Sequence, residues 1–315
     1  MAENSAIEWC DSTFNPSIGC TKVGPGCDHC YAETLSKARL GVPWGQGASR
    51  RRTVDSTWAH PRRWERAAAA FFAKHGRRQR VFCASLADVF DNEVPAEWRA
   101  DLFALIRATP SLDWLFVTKR IGNAAKMAAA AGGWPENVWL GATIVNQAEA
   151  ERDIPKLAAI DVEVRFLSME PLLGSVDLSV LMYEPCPNSL DGLMMDAITG
   201  AYECCSRCDF TGVGDELAIH WIIVGGESGP GARPANGDWY RDLRDQCAAA
   251  NVPFLFKQHG EWIDVRDLRR LPGGSGPGFG SFDHRPYDPD HEAVRVGKKA
   301  AGRLLDGVQH DGVPA

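Results

Sequence analysis

Cys20, Cys27 and Cys30 stand within one short stretch, spaced C-x6-C-x2-C. Three thiolates are one short of the tetrahedral set of a structural zinc site. They match an iron–sulfur cluster in which three irons take cysteine and the fourth iron stays open to a ligand. The closed alternative adds Cys10 as a fourth thiolate, with His29 as a substitute donor, and gives a zinc site instead. A second group, Cys186, Cys204, Cys205 and Cys208, contains one C-x2-C half and reads as a small zinc knuckle with a degenerate first half. Cys83 and Cys247 lie in apolar runs, where a thiol packs as a small hydrophobe. Cys83, within the strand-like run 81–85, is also the candidate cysteine hydrogen donor.

These groups need a scaffold, and the chain alternates short β-type runs with helical stretches. The runs 81–85, 114–118, 138–144, 164–168, 221–226 and 253–257 are apolar enough to be buried on both faces. Helical patterns over 95–110, 121–132, 146–160 and 236–251 separate most of them. An earlier strand near 7–9 or 13–15 precedes the cysteine loop. The alternation predicts an α/β protein built on a full or partial parallel β/α (TIM-like) barrel, residues 1–270. A doubly wound open sheet is the structural competitor. Residues 183–216 form an inserted Cys-rich knuckle, and 271–315 a C-terminal loop, short strand and helix packed on the barrel.

In a β/α barrel, ligands meet the C-terminal ends of the strands. Those ends carry Ser85 and Asp88, then Thr118, Lys119 and Arg120, then Thr143 and Asn146, then Ser168 and Glu170, then Glu227 and Ser228, then Lys257 and Gln258. One or two such residues would be ordinary helix caps. The whole set in register predicts a lined polar pocket. Lys119 and Arg120 suit a carboxylate or phosphate, whereas Glu170 and Glu227 suit an amine or ribose. Glu170, Lys119 and Cys83 are the catalytic candidates; Asp88, Arg120, Glu227, Ser228, Lys257 and Gln258 are the cofactor-binding ones. GGESG at 225–229 would by itself be only a tight turn using glycine's freedom.

The chain has 315 residues and ten cysteines, with a net charge of −7. Its start lacks the basic flank and apolar run of a signal peptide, and no run approaches the roughly 18 apolar residues of a membrane span. A reducing, cytoplasmic setting follows as the expectation, and with it metal or catalytic roles for cysteine before disulfides. Charge is uneven. Residues 49–80 hold ten Arg or Lys against Asp55 and Glu65, about +8, which leaves about −15 for the rest. Interleaved with Trp58 and Trp64, this patch is the footprint of a DNA- or RNA-binding face, the alternative being a solvated Arg-rich helix. No membrane partner is expected, and the sequence sets no oligomeric state.

Eight blocks carry a resemblance: IEWCDSTFNPSIGCTKVGPGCDHCYAE, SLADVFDNEVP, FVTKR, VWLGATI, RFLSMEPLLG, WIIVGGESGPGARP, VPFLFKQHGEW and VRVGKKAAGRLLDG. Through them the chain resembles a family of unknown function found in phages and bacteria and described by its three-Cys motif. That family looks like a divergent branch of the radical S-adenosylmethionine (SAM) enzymes, near the spore photoproduct lyase group that repairs DNA. The resemblance implies a [4Fe–4S] cluster on Cys20, Cys27 and Cys30, S-adenosylmethionine as co-substrate, and an electron donor such as flavodoxin or ferredoxin. It implies a 5′-deoxyadenosyl radical acting on a nucleic acid or nucleotide. Three departures stand out. The common spacing of the first two cysteines has three residues between them, His29 occupies the place of the usual aromatic with Tyr31 after the last cysteine, and Gly-Gly-Glu follows a late strand rather than an early one. The contrasting function is a non-catalytic, zinc-containing nucleic-acid-binding protein.

Overall fold

Seven strands form one parallel sheet in strict chain order: β1 Ser12–Phe14, β2 Gln79–Cys83, β3 Leu112–Thr118, β4 Val138–Thr143, β5 Val164–Met169, β6 Trp221–Gly225 and β7 Phe254–Gln258. The computed structural model describes residues 3–179, 181–185, 193–195, 202–204, 213–268, 283–288 and 291–314. A doubly wound sheet needs a point where strand order reverses. No such point exists among these strands, so the sheet curls as a partial TIM-like barrel.

Side-chain alternation divides the sheet into two cores. The helix-facing side buries Val81, Cys83, Trp114, Phe116, Leu140, Leu167, Ile222, Val224 and Phe256. Against it pack α1 Asp55–His75, α2 Ala96–Arg107, α3 Ile121–Ala130, α4 Gln147–Ala158 and α5 Gly237–Ala249. The concave side holds Phe82, Leu115, Trp139, Phe166, Trp221, Ile223 and Leu255, joined by Trp9 and Cys10 from the segment before β1. Gly141 lies on this side because any larger residue is excluded: a Cβ there would meet the Phe166 ring at 2.5 Å.

No helix links β5 to β6 among the described residues. Leu172, Val176, Leu178 and Met182 enter the helix-side core in its place. Beyond them Tyr183–Pro185 pairs antiparallel with Val213–Leu217, and Leu193–Met195 with Tyr202–Cys204. Of the expected zinc knuckle, Cys186, Cys205 and Cys208 lie outside the described residues; Cys204 ends a strand.

The C-terminal part begins with a three-stranded antiparallel sheet of Trp262–Asp264, His291–Arg295 and His284–Asp288. The helix expected to close the chain is a single turn, Lys298–Ala301, ended at Gly302 by a left-handed φ of 69°. The tail then covers the free edge of β7. Phe256 N–H donates to His310 O at 3.0 Å, and Gly312 N–H donates to Phe254 O at 3.0 Å. A covered edge has no unpaired backbone to offer another chain.

Asp306 fastens the tail to α5. It accepts from Arg241 Nη2 at 2.8 Å and from Arg244 Nη1 at 2.8 Å. The Arg241 hydrogen bond, ahead of burial's opposing effect and helped by Arg244, holds its carboxyl down at about 2. A depressed carboxyl stabilises the fold fully above its ordinary value of 3.8 and loses that contribution as pH falls toward about 2. Acid unfolding of Asp306→Asn is expected to show a flatter stability profile across that window than the parent chain. Parallel profiles would mean the clasp contributes nothing.

Candidate functional site

The connection from β1 to α1 carries all three cysteines of the loop, which places them at the C-terminal mouth of the barrel. Cys20, Cys27 and Cys30 line one cavity of about 750 Å³. Asp88, Lys119, Arg120, Glu170, Glu227, Ser228, Lys257 and Gln258 line the same cavity. Ser85, Thr143 and Ser168 join them, so the polar residues expected from the strand ends are brought there except Thr118, whose hydroxyl is spent on Asp88, and Asn146. Asn146 caps α4, its Oδ1 accepting from Glu149 N–H at 3.0 Å.

Cys83 departs from its expected place. It is fully buried on the helix-facing side, while its neighbours Phe82 and Ala84 reach the cavity. Burial pushes its thiol well above the ordinary range. The period-2 alternation of a strand explains this: Phe82 faces in, so Cys83 faces out.

Two charged networks hold the cysteine loop. In the first, Arg120 Nη1 donates to Cys20 Sγ at 3.3 Å and to Asp88 Oδ2 at 3.2 Å, and Nη2 donates to Thr21 O at 2.6 Å. Asp88 is itself saturated, accepting from Thr118 Oγ1 at 2.8 Å, Lys119 N–H at 3.1 Å and Phe90 N–H at 2.9 Å. It thus positions Arg120 and the β3 end rather than standing free for a ligand. Burial and the Asp88 carboxylate push the Cys20 thiol up to about 11, with Arg120 opposing them. A thiol raised in this way ionises at neutral pH only with a cation bound to it.

In the second network Glu227 docks the far end of the loop. It accepts from Arg233 N–H at 2.8 Å and from Arg233 Nη2 at 2.7 Å, and lies 3.1 Å from His29 Nδ1. Arg233 goes on to Asp28 Oδ2 at 3.0 Å and Pro25 O at 2.8 Å. Burial alone would raise the Glu227 carboxyl; the Arg233 side chain and backbone, with His29, bring it below the ordinary value. The two glycines before it serve the protein's own packing. A Cβ on Gly225 would meet Glu170 Oε1 at 2.7 Å, and one on Gly226 would meet His259 O at 1.9 Å.

The remaining polar groups face the cavity more freely. Lys257 Nζ contacts the two Glu170 oxygens at 3.1 and 3.2 Å. Gln258 Nε2 donates to Ser228 Oγ at 2.7 Å. Lys119 Nζ reaches the Thr143 hydroxyl at 3.3 Å and makes no ion pair among the described residues.

Three thiols of the loop share the cavity, and the fourth thiol that a closed zinc site needs lies elsewhere. Cys10, the required fourth zinc ligand, is buried in the concave core, its Sγ donating to Ser5 Oγ at 3.4 Å. Among the described residues no three His, Cys, Asp or Glu side chains, Cys20, Cys27 and Cys30 included, converge as a metal-ligand group.

The basic segment is differently built than its composition implied. Arg50 has a side chain only 1% exposed, paired with Asp91 at 2.7 Å and Glu93 at 3.0 Å. It also donates to Thr21 Oγ1 at 2.6 Å, next to Cys20, so it belongs to the loop and not to the surface. Trp64 is buried, and Trp58 packs edge-on against Phe14 with ring centroids 5.6 Å apart. Arg51, Arg62, Arg63, Arg66 and Lys74 are exposed. No charge pattern in the sequence marks Arg233, the residue that the strand-end reading missed; only its nearness to Gly-Gly-Glu could have drawn attention to it.

Fold and site together define a partial β/α-barrel protein with a thiol-bearing loop over a polar cavity. The chain belongs to the family described as protein of unknown function (DUF5131), whose model matches residues 4–314. Among solved structures it is similar to a spore photoproduct lyase mutant with bound AdoMet and dinucleoside spore photoproduct. That likeness has 12% identity and a TM-score of 0.40, covering 90% of this chain and 68% of the other. No curated protein matches the chain. No helix among the described residues is long and apolar enough to cross a membrane.

Proposed function

We propose that the protein is a radical-SAM-like iron–sulfur enzyme that modifies or repairs a nucleic acid or nucleotide. One observation carries the reading: three cysteines of one loop line the same cavity as a ring of polar strand ends. Cys20, Cys27 and Cys30 would hold a [4Fe–4S] cluster, with S-adenosylmethionine beside it. The chemistry these groups supply when bound is one-electron cleavage of the sulfonium, with hydrogen abstraction by the resulting 5′-deoxyadenosyl radical. The electron would come from a carrier such as flavodoxin or ferredoxin.

The chain's own residues bind and orient. Lys119, with only a hydroxyl partner among the described residues, suits a carboxylate or phosphate. Glu170, held by Lys257, offers its oxygens to an amine or ribose hydroxyl, and Ser228 with Gln258 adds neutral hydrogen bonding. Arg120 and Asp88 hold the loop, and an N–H donated to a cluster thiolate favours the reduced state. Cys83, facing the helices, would need a path through the sheet to serve as hydrogen donor, so Glu170 and Lys119 remain the catalytic candidates.

Anaerobic purification with iron, sulfide and absorption analysis tests the reading. About four irons per chain and a broad absorption across the violet and blue are expected. Stoichiometric zinc and no iron would instead support the zinc-containing binding protein. A cytoplasmic location and DNA or RNA as partner belong to the same proposal. Neutralising Arg62, Arg66 and Lys74 is expected to flatten the salt dependence of nucleic-acid binding. Each lost phosphate contact removes roughly 0.9 from the log–log slope on duplex DNA, or about 0.7 on a single strand. An unchanged slope would leave these side chains as a solvated helix face.

A further inference from the structure

The fold takes apart much of the basic segment and builds a different basic surface at the barrel mouth. Between Tyr31 and Arg52, Glu33 is the only acid against five Lys or Arg. Arg50 is turned inward, and Arg52 is taken by Asp101 at 2.7 Å and by the Trp58 ring at 4.2 Å. Lys37, Arg39 and Arg51 are left exposed. They stand together as a ridge. Lys37 and Arg39 share the helical turn Ser36–Leu40, and Arg51 Nη1 donates to Leu40 O at 3.0 Å.

Glu33 ties this ridge to the cavity. It accepts from Lys37 Nζ at 2.7 Å and from Lys22 Nζ at 3.1 Å, and Lys22 lines the cavity together with Cys20. The same stretch gives the cavity Tyr31, Leu35 and Trp44. Tyr31 is 57% exposed, yet its ring is held in place by the hydroxyl, which donates to Ser85 O at 2.9 Å. Helix α1 has no such link. The helix after a barrel strand runs back from the mouth to the opposite end. Its 21 residues rise about 30 Å, so Lys74 in the last turn stands far from the cavity.

We propose that Lys37, Arg39 and Arg51 form the landing surface for the phosphates of a single nucleic-acid strand whose terminal nucleotide enters the cavity beside Tyr31. Cations that track a backbone, next to an aromatic face on which a base stacks, are the combination that binds unpaired strands. A cavity of about 750 Å³ has room for one nucleotide and none for a duplex, so the strand is unpaired where it enters. This rests on the proposed function for nucleic acid as the substrate class and names the surface that delivers it. The binding itself needs no cluster.

The test is fluorescence anisotropy of a labelled single-stranded oligonucleotide, about six nucleotides long, titrated with the purified full-length chain at several salt concentrations. Iron content is measured on each preparation. Lys37→Gln, Arg39→Gln and Arg51→Gln together are expected to remove about 2 from the log–log salt slope, at about 0.7 per phosphate contact. Affinity should fall alike on thymidine and adenosine strands, because phosphate contacts carry no sequence information. Thermal unfolding checks the fold of the triple variant; should it unfold, each single substitution is expected to remove about 0.7 by itself. Neutralising Arg62, Arg66 and Lys74 should change the slope of this short strand less than the ridge variant does. Equal slopes in the parent and a folded ridge variant, both binding, overturn the ridge. So does a ridge variant that keeps the strand but loses an acidic redox protein such as flavodoxin, which the parent binds; the surface would then belong to that carrier. A parent chain that binds neither the short strand nor a long duplex at low salt overturns nucleic acid as the substrate class, and the ridge with it. Missing iron with the strand bound and the slope reduced overturns the cluster and leaves the ridge standing.

Discussion

Replacing any one of Cys20, Cys27 or Cys30 with alanine is expected to strip the iron from anaerobically reconstituted protein, while Cys10→Ala retains it. The asymmetry follows from where the four thiols sit. The three line the cavity at the barrel mouth, whereas Cys10 packs with Trp9 and Phe82 in the concave core. Burial pushes the Cys10 thiol up to about 11, ahead of the hydrogen bond to Ser5, which lowers it. It is therefore a neutral core thiol. Its removal costs about 1 kcal/mol of stability, the ordinary range for a small core truncation, and leaves the iron signal intact. Loss of any one of the other three would leave an iron of the proposed cluster without a protein ligand, and the absorption should disappear rather than weaken. Iron and sulfide content per chain reads the result directly. Metal lost on Cys10→Ala, with zinc in place of iron in the parent chain, would restore the closed four-thiolate site.

The barrel was legible because parallel strands buried on both faces read as short apolar runs, and six of the seven were marked that way. The polar strand ends were legible because barrel geometry sends every such end to one mouth. What sequence could not separate is which ends face the cavity freely and which are consumed by the protein. Asp88 and Glu227 look alike in a sequence reading, as acids after a strand. Yet each is taken up by hydrogen bonds that anchor one end of the cysteine loop. Glu170, by contrast, keeps among the described residues only the Lys257 ammonium and a 3.5 Å contact from Ser168. Cys83 shows the other limit. A shift of one residue along a strand exchanges cavity for helix layer, and element bounds read from sequence are no finer than that. Arg50 shows a third. A run of three arginines suggests a surface, but composition carries no information on which guanidinium the fold turns inward.

That buried guanidinium sets a large expected stability effect. Arg50→Ala is expected to lower unfolding free energy by about 3–5 kcal/mol, the range for breaking a buried ion pair from one side. The variant leaves Asp91, whose side chain is 3% exposed, without its 2.7 Å partner. Arg120 stands 3.8 Å from Asp91, too far to replace the lost hydrogen bond. It also frees the Gly45 and Ala48 carbonyls and Thr21 Oγ1, the contacts by which Arg50 gathers the loop around Cys20. Arg50→Lys keeps the charge but loses the planar fork that reaches five acceptors, so it should recover only part of the loss. Arg62→Ala, on an exposed face of α1, is expected to stay within about 0.5 kcal/mol of the parent chain. Chemical denaturation measures all three variants. Iron occupancy should fall in Arg50→Ala and stay whole in Arg62→Ala, since only the first loosens the loop. The salt slope of any nucleic-acid binding should respond in the opposite order. An Arg50→Ala chain as stable as its parent, with a flattened salt slope, would return Arg50 to the surface that the sequence suggested.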